Sequence, residues 1–384
     1  MNLLQQKIIR RIKSEGPITF KNFMEMALYE PELGYYSSEK TRIGRSGDFY
    51  TSSHLHPTFG MMIGKQIEEM WEIMNKPSVF QIVEMGSGAG YLCKDILEYY
   101  KGLGIGGQGL EREIIKNLQY IIVELNPAMR EQQKKLLSDY SDKIRWASSV
   151  RELNDIKGCF LSNELLDAFP VHIIEMNDEI KEIFISADNE KLIEIKGAPG
   201  ASEIADYLKE FSIEFEKGHR TEINLEIKKW LGEINRVLAE GFILTIDYGY
   251  SSEDYYSEDR DRGTLLCYHE HRVTENPYQN IGEQDITAHV NFSSVKKWGD
   301  EIGIKTIGFC RQGTFLVSLG IDEAIAEIYK NSADYSFEVA RIKKLILPDA
   351  MGETHKVIIQ YKGSRKPALR GFTIKNQFTY LLLP

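Results

Sequence analysis

Residues 79–90 read VFQIVEMGSGAG and combine a short apolar run with three closely spaced glycines. The run contains several β-branched side chains and is mostly apolar, which is typical of a strand buried on both faces. Gly86, Gly88 and Gly90 allow a tight turn and let backbone N–H groups approach a ligand closely. Because a helical pattern follows directly, the sequence predicts a strand, a ligand-binding turn and a helix in succession.

The spacing of the glycines distinguishes two kinds of cofactor site. A dinucleotide-binding fingerprint, G-x-G-x-x-G, would place its third glycine at position 91, which is Tyr91. This difference disfavours a nicotinamide oxidoreductase. An acidic residue followed by G-x-G-x-G, here Glu84 to Gly90, resembles instead the first motif of class I S-adenosylmethionine-dependent methyltransferases. A glycine turn without a ligand is the structural alternative, and the coincidence of strand, glycines and helix disfavours it.

Further strand-like runs alternate with helical patterns along the chain. This alternation predicts a doubly wound parallel sheet, an α/β fold of the Rossmann-like, class I methyltransferase type. The runs are YIIVEL (120–125), KIRWAS (143–148), GCFLSNEL (158–165), FILTIDYGY (242–250), IKTIGF (304–309) and HKVIIQY (355–361).

Other patterns predict additions to this sheet. Helical patterns over 2–15, 19–28 and 57–75 predict an N-terminal helical cap. Residues 171–197 alternate apolar and polar side chains and turn at Asn-Asp and Asp-Asn, so we expect an antiparallel meander there. The predicted domains are an N-terminal helical region, 1–75, with a lid or substrate-facing loop at 37–56, and a methyltransferase domain, 76–384, with inserted α+β subdomains at about 171–216 and 313–347.

The composition limits the class of protein. The chain has 384 residues, 42% hydrophobic and 27% charged, as in ordinary globular proteins, and its formal net charge is −10. A negative balance argues against a nucleic-acid partner. No apolar run approaches the roughly 18 to 20 residues of a membrane-spanning helix, and the N-terminus lacks the apolar block of a secretion signal. The cysteines are far apart, which predicts neither disulfides nor a zinc ribbon and favours a reducing, cytoplasmic location.

Acidic residues follow or end three of the predicted strands. Glu124 ends the second strand, where a doubly wound fold presents a carboxylate to a ribose. Asn163, Glu164 and Asp167 belong to the motif that closes the fourth strand, and Asp247 lies in the fifth. Ligands of open α/β sheets bind outside the carboxyl ends of the strands, so these groups can bind a cationic or hydrogen-bonding acceptor. The structural alternative is that Asn163 or Glu164 caps a short helix.

Longer motifs cover nearly the whole chain in order. They are GPITFKNFMEMALYEPELGYY (16–36), GRSGDFYTSSHLHPTFG (44–60), IVEMGSGAG (82–90), SNELLDAFPV (162–171), ILTIDYGY (243–250), RGTLLCYHEHR (262–272), GEQDITAHVNF (282–292) and PDAMGETHKV (348–357). Together they resemble the MidA-like proteins, a family of class I methyltransferases known in mitochondria as complex I assembly factors. The resemblance implies S-adenosylmethionine as cofactor and a protein substrate, since the mitochondrial members dimethylate an arginine of a complex I subunit.

The resemblance also implies roles for individual residues. The cofactor-binding set is Glu84, Gly86, Ser87, Gly88, Gly90, Glu124 and Asn163, and the catalytic set is Glu164, Asp167 and Asp247. In the catalytic set we expect Glu164 and Asp167 to orient the acceptor guanidinium while Asp247 supports them. The chain departs from the family pattern at Ser46-Gly47 and at Ser52-Ser53-His54, which bears on the identity of the substrate more than on the use of the cofactor.

An assembly or chaperone-like protein that retains the fold without turnover is the alternative function. The intact glycines and carboxylates favour the enzyme, because a site that has lost its activity tends to lose such groups. The oligomeric state is left open, with a homodimer as one option.

Two histidine-containing motifs remain. Cys267, His269 and His271 would share one face of a strand, but no fourth ligand follows at metal-site spacing, so we predict no metal site. Asp285 and His289 would share one face if their stretch is helical, either as a general-base pair or, in preference, as a structural ion pair.

Overall fold

The structure is a computed structural model that describes residues 1–38, 52–103, 110–331 and 334–382. The strands are β1 Ile18–Thr19, β2 Phe80–Met85, β3 Leu118–Val123, β4 Ile144–Ala147, β5 Ile156–Asn163, β6 His172–Met176, β7 Ile180–Asp188, β8 Lys191–Gly197, β9 Arg220–Ile223, β10 Leu238–Tyr250, β11 Leu266–His269, β12 Arg272–Thr274, β13 Asp285–Thr287, β14 Val290–Asn291, β15 Lys305–Arg311 and β16 His355–Lys362. The α-helices are α1 Leu3–Glu15, α2 Phe20–Tyr29, α3 Ser52–Leu55, α4 Thr58–Ile73, α5 Tyr91–Tyr100, α6 Ile114–Asn117, α7 Pro127–Leu136, α8 Ser202–Glu210, α9 Glu226–Val237, α10 Ser252–Tyr255, α11 Phe292–Glu301, α12 Gln312–Ser318, α13 Ile321–Asn331, α14 Tyr335–Ile346 and α15 Met351–Thr354. Within the described ranges, no helix is both long and apolar enough to cross a membrane.

Eight strands form the central sheet. Their order is β15-β16-β10-β5-β2-β3-β4, and β14 pairs with the end of β10. Strands β4, β3, β2, β5 and β10 run parallel, as the alternation of strands and helices predicts. Strand β16 is antiparallel to its neighbours β10 and β15, a direction that the sequence did not specify. The predicted doubly wound α/β sheet is therefore confirmed.

Helices cover both faces of the central sheet. In β2, Phe80 and Ile82 belong to the core formed with α4 and α5, while Val83 belongs to the core formed with α9 and α11. All three side chains are fully buried, and each such burial stabilises the fold by about 1.5–3 kcal/mol relative to exposure. Because both faces are buried, β2 carries apolar side chains on both of them, and its polar residues are Gln81 and Glu84.

The N-terminal helices share a third core with the meander. Strands β6, β7 and β8 form the antiparallel meander predicted over 171–197, and β9 pairs with β6. Strand β1 pairs antiparallel with β7, where Ile18 lies opposite Ile185, and Phe20 of α2 packs in the same core as Ile183. Helix α4 packs on the central sheet instead. The helices of the predicted N-terminal region thus contribute to two cores, and its bounds stay a prediction.

Strands β11, β12 and β13 form a small antiparallel sheet. Asp285 lies in β13, whose partner is β11. The helical arrangement that would place Asp285 and His289 on one face therefore does not form, and that part of the sequence interpretation is wrong. The reason is pairing between segments distant in sequence, which the local pattern did not reveal.

Two glycines let the three central strands approach each other. Gly158 of β5 lies opposite Gln81 of β2 on one side and Gly241 of β10 on the other. The φ angles of Gly158 and Gly241 are +155° and +147°. A Cβ at Gly158 would lie 2.0 Å from the carbonyl oxygen of Gln81, and a Cβ at Gly241 would lie 2.0 Å from that of Gly158. The paired strands therefore accept no side chain at either position.

We expect Gly158→Ala to lower the free energy of unfolding by about 4 kcal/mol, because the added methyl group collides with backbone across the sheet. Gly218→Ala is the matched control, since Gly218 also has a positive φ, +96°, but a Cβ there meets no atom within 4 Å. The control should lose about 1 kcal/mol from backbone strain alone. Urea unfolding measures both values, and equal losses would contradict the close approach.

Candidate active site

The glycine turn after β2 adopts backbone conformations that suit glycine. The φ angles of Gly86, Gly88 and Gly90 are +71°, +51° and +93°. Gly90 is the N-cap residue of α5. A Cβ at Gly86 would lie only 2.9 Å from Cδ1 of Leu165, which belongs to the turn after β5. The turn thus presents bare backbone next to the start of a helix, where N–H groups can bind a ligand.

Glu84, the acidic residue before the turn, is buried. It is 2% exposed, and its Oε2 accepts a 2.7 Å hydrogen bond from the hydroxyl of Tyr120 in β3. Burial raises the pKa of Glu84 to about 7, and the hydrogen bond from Tyr120 opposes this shift. The carboxyl group therefore joins the ends of β2 and β3, while its contact with a cofactor stays a prediction.

Gln133 of α7 joins Glu124 to the glycine turn. Gln133 is fully buried, and its Nε2 donates to the Gly88 carbonyl oxygen at 2.7 Å and to Glu124 Oε2 at 3.0 Å. Its Oε1 accepts from Trp146 Nε1 at 3.0 Å. The other oxygen of Glu124 accepts from the Asn126 backbone N–H at 2.8 Å. The carboxylate predicted to bind a ribose is therefore fixed beside the turn by a residue that the sequence analysis missed.

The turn after β5 carries Asn163 and Glu164. Glu164 has a φ of +52°, which is uncommon for a residue with a Cβ and occurs often at functional sites. Its Oε1 accepts hydrogen bonds from Asn163 Nδ2 and from the Ser52 backbone N–H, both at 3.1 Å. Asn163 Oδ1 is buried and has no hydrogen-bond partner among the described residues. Asn163 and Glu164 thus lie together at the carboxyl end of β5, as predicted.

The carboxylate of Asp247, in β10, binds the backbone N–H groups of this turn. Its Oδ2 lies 2.9–3.4 Å from the N–H nitrogens of residues 165–167, and its Oδ1 accepts from the Tyr248 N–H at 2.9 Å. Asp247 is fully buried, and burial together with the carboxylates of Asp167 and Glu164 raises its pKa. Its hydrogen bonds suit the supporting role predicted for it, because they position the turn.

Asp167 keeps one oxygen without a partner. Its Oδ2 accepts a short hydrogen bond from the Tyr248 hydroxyl, whereas its Oδ1 is buried and has no partner within the described ranges. Burial raises the pKa of Asp167 to about 7; the bond from Tyr248 opposes this shift and the Glu164 carboxylate adds to it. A buried oxygen without a partner is costly, so this atom marks a place for a hydrogen-bond donor.

Two tyrosines of the third core border the turn after β5. Tyr29 and Tyr36 stack with ring centroids 5.6 Å apart. The Tyr29 hydroxyl donates to the Ala168 carbonyl oxygen at 3.0 Å, and the Tyr36 hydroxyl donates to Asp285 Oδ1 at 2.8 Å. These contacts bring the N-terminal region to the site.

The predicted lid lies largely outside the described residues. Of residues 37–56, the structure describes 37–38 and 52–56, so Ser46 and Gly47 are not covered. Ser52 contributes the backbone N–H that binds Glu164. The function of this loop as a lid stays a prediction.

Cys267, His269 and His271 are the residues that were weighed as zinc ligands in the sequence. Cys267 is buried in the third core, and burial raises its pKa to about 12. His269 Nδ1 lies 2.7 Å from the carbonyl oxygen of Glu283. In the part of the chain that the structure describes, no group of three or more His, Cys, Asp or Glu side chains is placed to hold a metal ion.

Residues 62–310, more than half of the chain, match the profile of a family described as S-adenosyl-L-methionine-dependent methyltransferases. The chain belongs to this family. The matched range contains the glycine turn, Glu124, the carboxylates of the turn after β5 and Asp247 of β10.

Individual relatives agree with this assignment. A Xenopus laevis protein named protein arginine methyltransferase NDUFAF7, mitochondrial, is 26% identical over 92% of this chain and 83% of its own length. The Homo sapiens protein of that name is 28% identical over 90% of this chain and 80% of its own length. A Burkholderia thailandensis structure with bound S-adenosyl-homocysteine has a TM-score of 0.87 and 29% identity, covering 97% of this chain and 95% of that one. The predicted family, fold class and cofactor are confirmed.

The described residues of this methyltransferase fit S-adenosylmethionine. The bare backbone from Gly86 to Gly90 suits the amino-acid end of the cofactor, and the fixed carboxylate of Glu124 suits its ribose hydroxyls. Asn163 Oδ1, a buried acceptor with no partner among the described residues, lies at the end of the neighbouring strand. These assignments of single residues stay predictions.

Gln133→Ala should weaken S-adenosylmethionine binding about 10-fold, because Glu124 and the Gly88 carbonyl lose the amide that fixes them. Gln132→Ala is the matched control, one residue earlier in α7 and only partly buried, and it should leave the affinity unchanged. Calorimetric titration measures both, with thermal unfolding as a check of the fold. An unchanged affinity for Gln133→Ala would show that Gln133 does not organise the site.

Proposed function

We propose that this methyltransferase methylates an arginine side chain of a protein substrate. The observation that carries the proposal is the pair of carboxylates, Glu164 and Asp167, in one turn held by Asp247 and in contact with the glycine turn through Leu165. Asp167 Oδ1 offers a buried acceptor without a partner among the described residues. A guanidinium group presents five N–H donors in a planar fork, which suits such carboxylates.

The carboxylates address the main chemical difficulty of arginine methylation. A guanidinium group has a pKa above about 12, so its nitrogens have little free lone-pair density at neutral pH. Hydrogen bonds to Glu164 and Asp167 orient the group and increase the electron density on the reacting nitrogen. The cofactor, when bound, supplies a methyl group on a sulfonium centre. Since charge is dispersed rather than created in the transfer, positioning and electrostatics by these residues supply most of the rate enhancement.

The names of the relatives support a protein arginine as acceptor. The family resemblance adds a respiratory complex I-type subunit as the proposed protein. All four cysteines are free and buried, in keeping with a reducing compartment, and a cytoplasmic location stays part of the proposal.

The acceptor can be tested directly. Purified protein and tritiated S-adenosylmethionine are added to an extract of cells that lack the protein, so that its natural acceptor is present and unmethylated. We expect label in methylarginine, located by mass spectrometry of peptides. Cofactor binding without any transfer would favour the non-catalytic alternative, and label confined to other side chains would contradict an arginine acceptor.

Glu164→Gln and Asp167→Asn should each lower methyl transfer at least about 100-fold, because each removes a charge that orients the guanidinium. Their affinity for S-adenosylmethionine should change little. Glu179→Gln and Asp178→Asn are the matched controls, with exposed side chains in the turn between β6 and β7. Full activity in Glu164→Gln would remove Glu164 from the mechanism.

The transfer rate should rise with pH through about 7, because burial first, and the Glu164 carboxylate in addition, raise the pKa of Asp167 to about 7. Below that pH Asp167 is protonated and loses the charge that attracts the guanidinium; above it the charge is present. Initial rates at low acceptor concentration, from about pH 5.5 to 9, give this profile for the free enzyme. In Asp167→Asn the transfer rate should no longer fall at acidic pH. If this variant has the same pH profile as the wild type, the assignment to Asp167 is contradicted.

A further inference from the structure

His355, the first residue of β16, faces the Glu164 carboxylate. Its Nε2 lies 3.7 Å from Glu164 Oε1, and each side chain is 7% exposed. Strand pairing places His355 opposite Tyr248, and their rings meet edge to face with centroids 5.3 Å apart. Nε2 is buried and has no hydrogen-bond partner among the described residues. No pattern in the sequence indicated a role for His355.

Hydrogen bonds around His355 indicate which ring nitrogen carries the proton. Thr354 Oγ1 lies 3.3 Å from the Ala350 carbonyl oxygen, which can only accept, so the single hydroxyl proton of Thr354 is directed there. Thr354 Oγ1 also lies 3.1 Å from His355 Nδ1. When the Thr354 hydroxyl donates to Ala350, Nδ1 is the donor in that contact. A neutral His355 then has its lone pair on Nε2, the nitrogen that faces Glu164.

Two proton acceptors thus face each other just beyond hydrogen-bond distance. Glu164 Oε1 already accepts hydrogen bonds from the Ser52 N–H and from Asn163 Nδ2. A carboxylate oxygen and an imidazole lone pair repel each other unless a proton lies between them. Glu164 Oε1 and His355 Nε2 are therefore placed so that one proton can be held between them.

Methylation of a guanidinium group releases one proton. The N–CH₃ bond forms as the S–CH₃ bond breaks, and the electron pair of the broken bond stays on the sulfur. The acceptor nitrogen keeps the electron pair of its N–H bond, so the methylated guanidinium retains its single positive charge and a proton must leave. We propose that this proton passes to the Glu164 carboxylate and from it to Nε2 of His355. The inference rests on the proposed function. Because His355 acts through Glu164, it is a positioning residue for proton transfer rather than a catalytic one.

His289 is a second histidine beside Tyr248, partly buried, with ring centroids 5.2 Å apart. Burial, reinforced by Lys356 and Arg260, lowers the pKa of His289 to about 4, so it cannot hold a proton at neutral pH. The charged groups around His355 are the carboxylates of Glu164 and Asp167 and, next in β16, Lys356. Of the two carboxylates, Glu164 is the one within ion-pair distance of His355 Nε2.

The experiment compares three variants in the same extract assay. His355→Ala leaves a cavity that imidazole can enter, whereas His355→Phe fills it. His219→Ala is the matched control, because His219 is also buried with an Nε2 that has no partner among the described residues, but it stacks on Phe215 beside the meander. Thermal unfolding and S-adenosylmethionine titration accompany each rate.

We expect both His355 variants to transfer methyl groups about 100-fold more slowly than the wild type, the scale of a lost acid–base step. Added imidazole should restore the rate of His355→Ala at least tenfold, in proportion to its neutral form, and should not affect His355→Phe or His219→Ala. An unchanged rate in His355→Ala, or a slow rate that imidazole does not restore in a folded variant, would overturn the inference. A wild type without arginine methylation would overturn the proposed function instead.

A measurement on the unaltered protein covers the case in which the variants do not fold. Nitrogen-15 NMR of histidine-labelled protein reports which ring nitrogen carries the proton. The neutral form of His355 should be protonated on Nδ1, with its Nε2 bare. A bare Nδ1 and a protonated Nε2 in the neutral form would show that His355 cannot accept a proton from Glu164.

Discussion

Asp247 accepts hydrogen bonds from backbone N–H groups on both sides of the gap between β10 and the turn after β5, and the geometry of that turn depends on them. Glu164 has a left-handed backbone conformation that costs about 1–3 kcal/mol and persists only where its surroundings fix it. The carboxylate of Asp247 provides that fixation from the adjacent parallel strand. Hydrogen bonds from Ser52, Asn163 and Tyr248 then position the side chains of Glu164 and Asp167.

This arrangement concentrates buried acidic groups in a small volume. Burial raises the pKa of both Asp167 and Asp247, and the neighbouring carboxylates add to the effect. Hydroxyl and backbone donors satisfy most of their oxygens, but Asp167 Oδ1 has no such donor in the described part of the chain. A cation placed among these carboxylates would offset the repulsion between them, which is the physical reason for proposing a positively charged acceptor. A planar guanidinium, which can bond to two carboxylates at once, gains more than an ammonium group does.

The features that depend on local pattern were predictable. The glycine turn, the parallel strands and the meander follow from spacing and periodicity over a few residues, and the carboxylates at strand ends follow from the topology of such sheets. Gln133 was not predictable, because Gln132 and Gln133 are adjacent glutamines that only a tertiary contact distinguishes. His355 lies next to Tyr248 only because β16 inserts antiparallel between β10 and β15. The strand that contains Asp285 was not predictable from local pattern because its partner, β11, is distant in sequence.

The two halves of the site belong to different cores. The glycine turn, Glu124 and the turn after β5 are attached to the central sheet, whereas Tyr29 and Tyr36 are attached to the core that α1 and α2 form with the meander. Substitutions in that outer core can reshape the wall next to the acceptor while the sheet continues to bind the same methyl donor. A change on the outer-core side of the site therefore requires no change in the glycine turn or in Glu124.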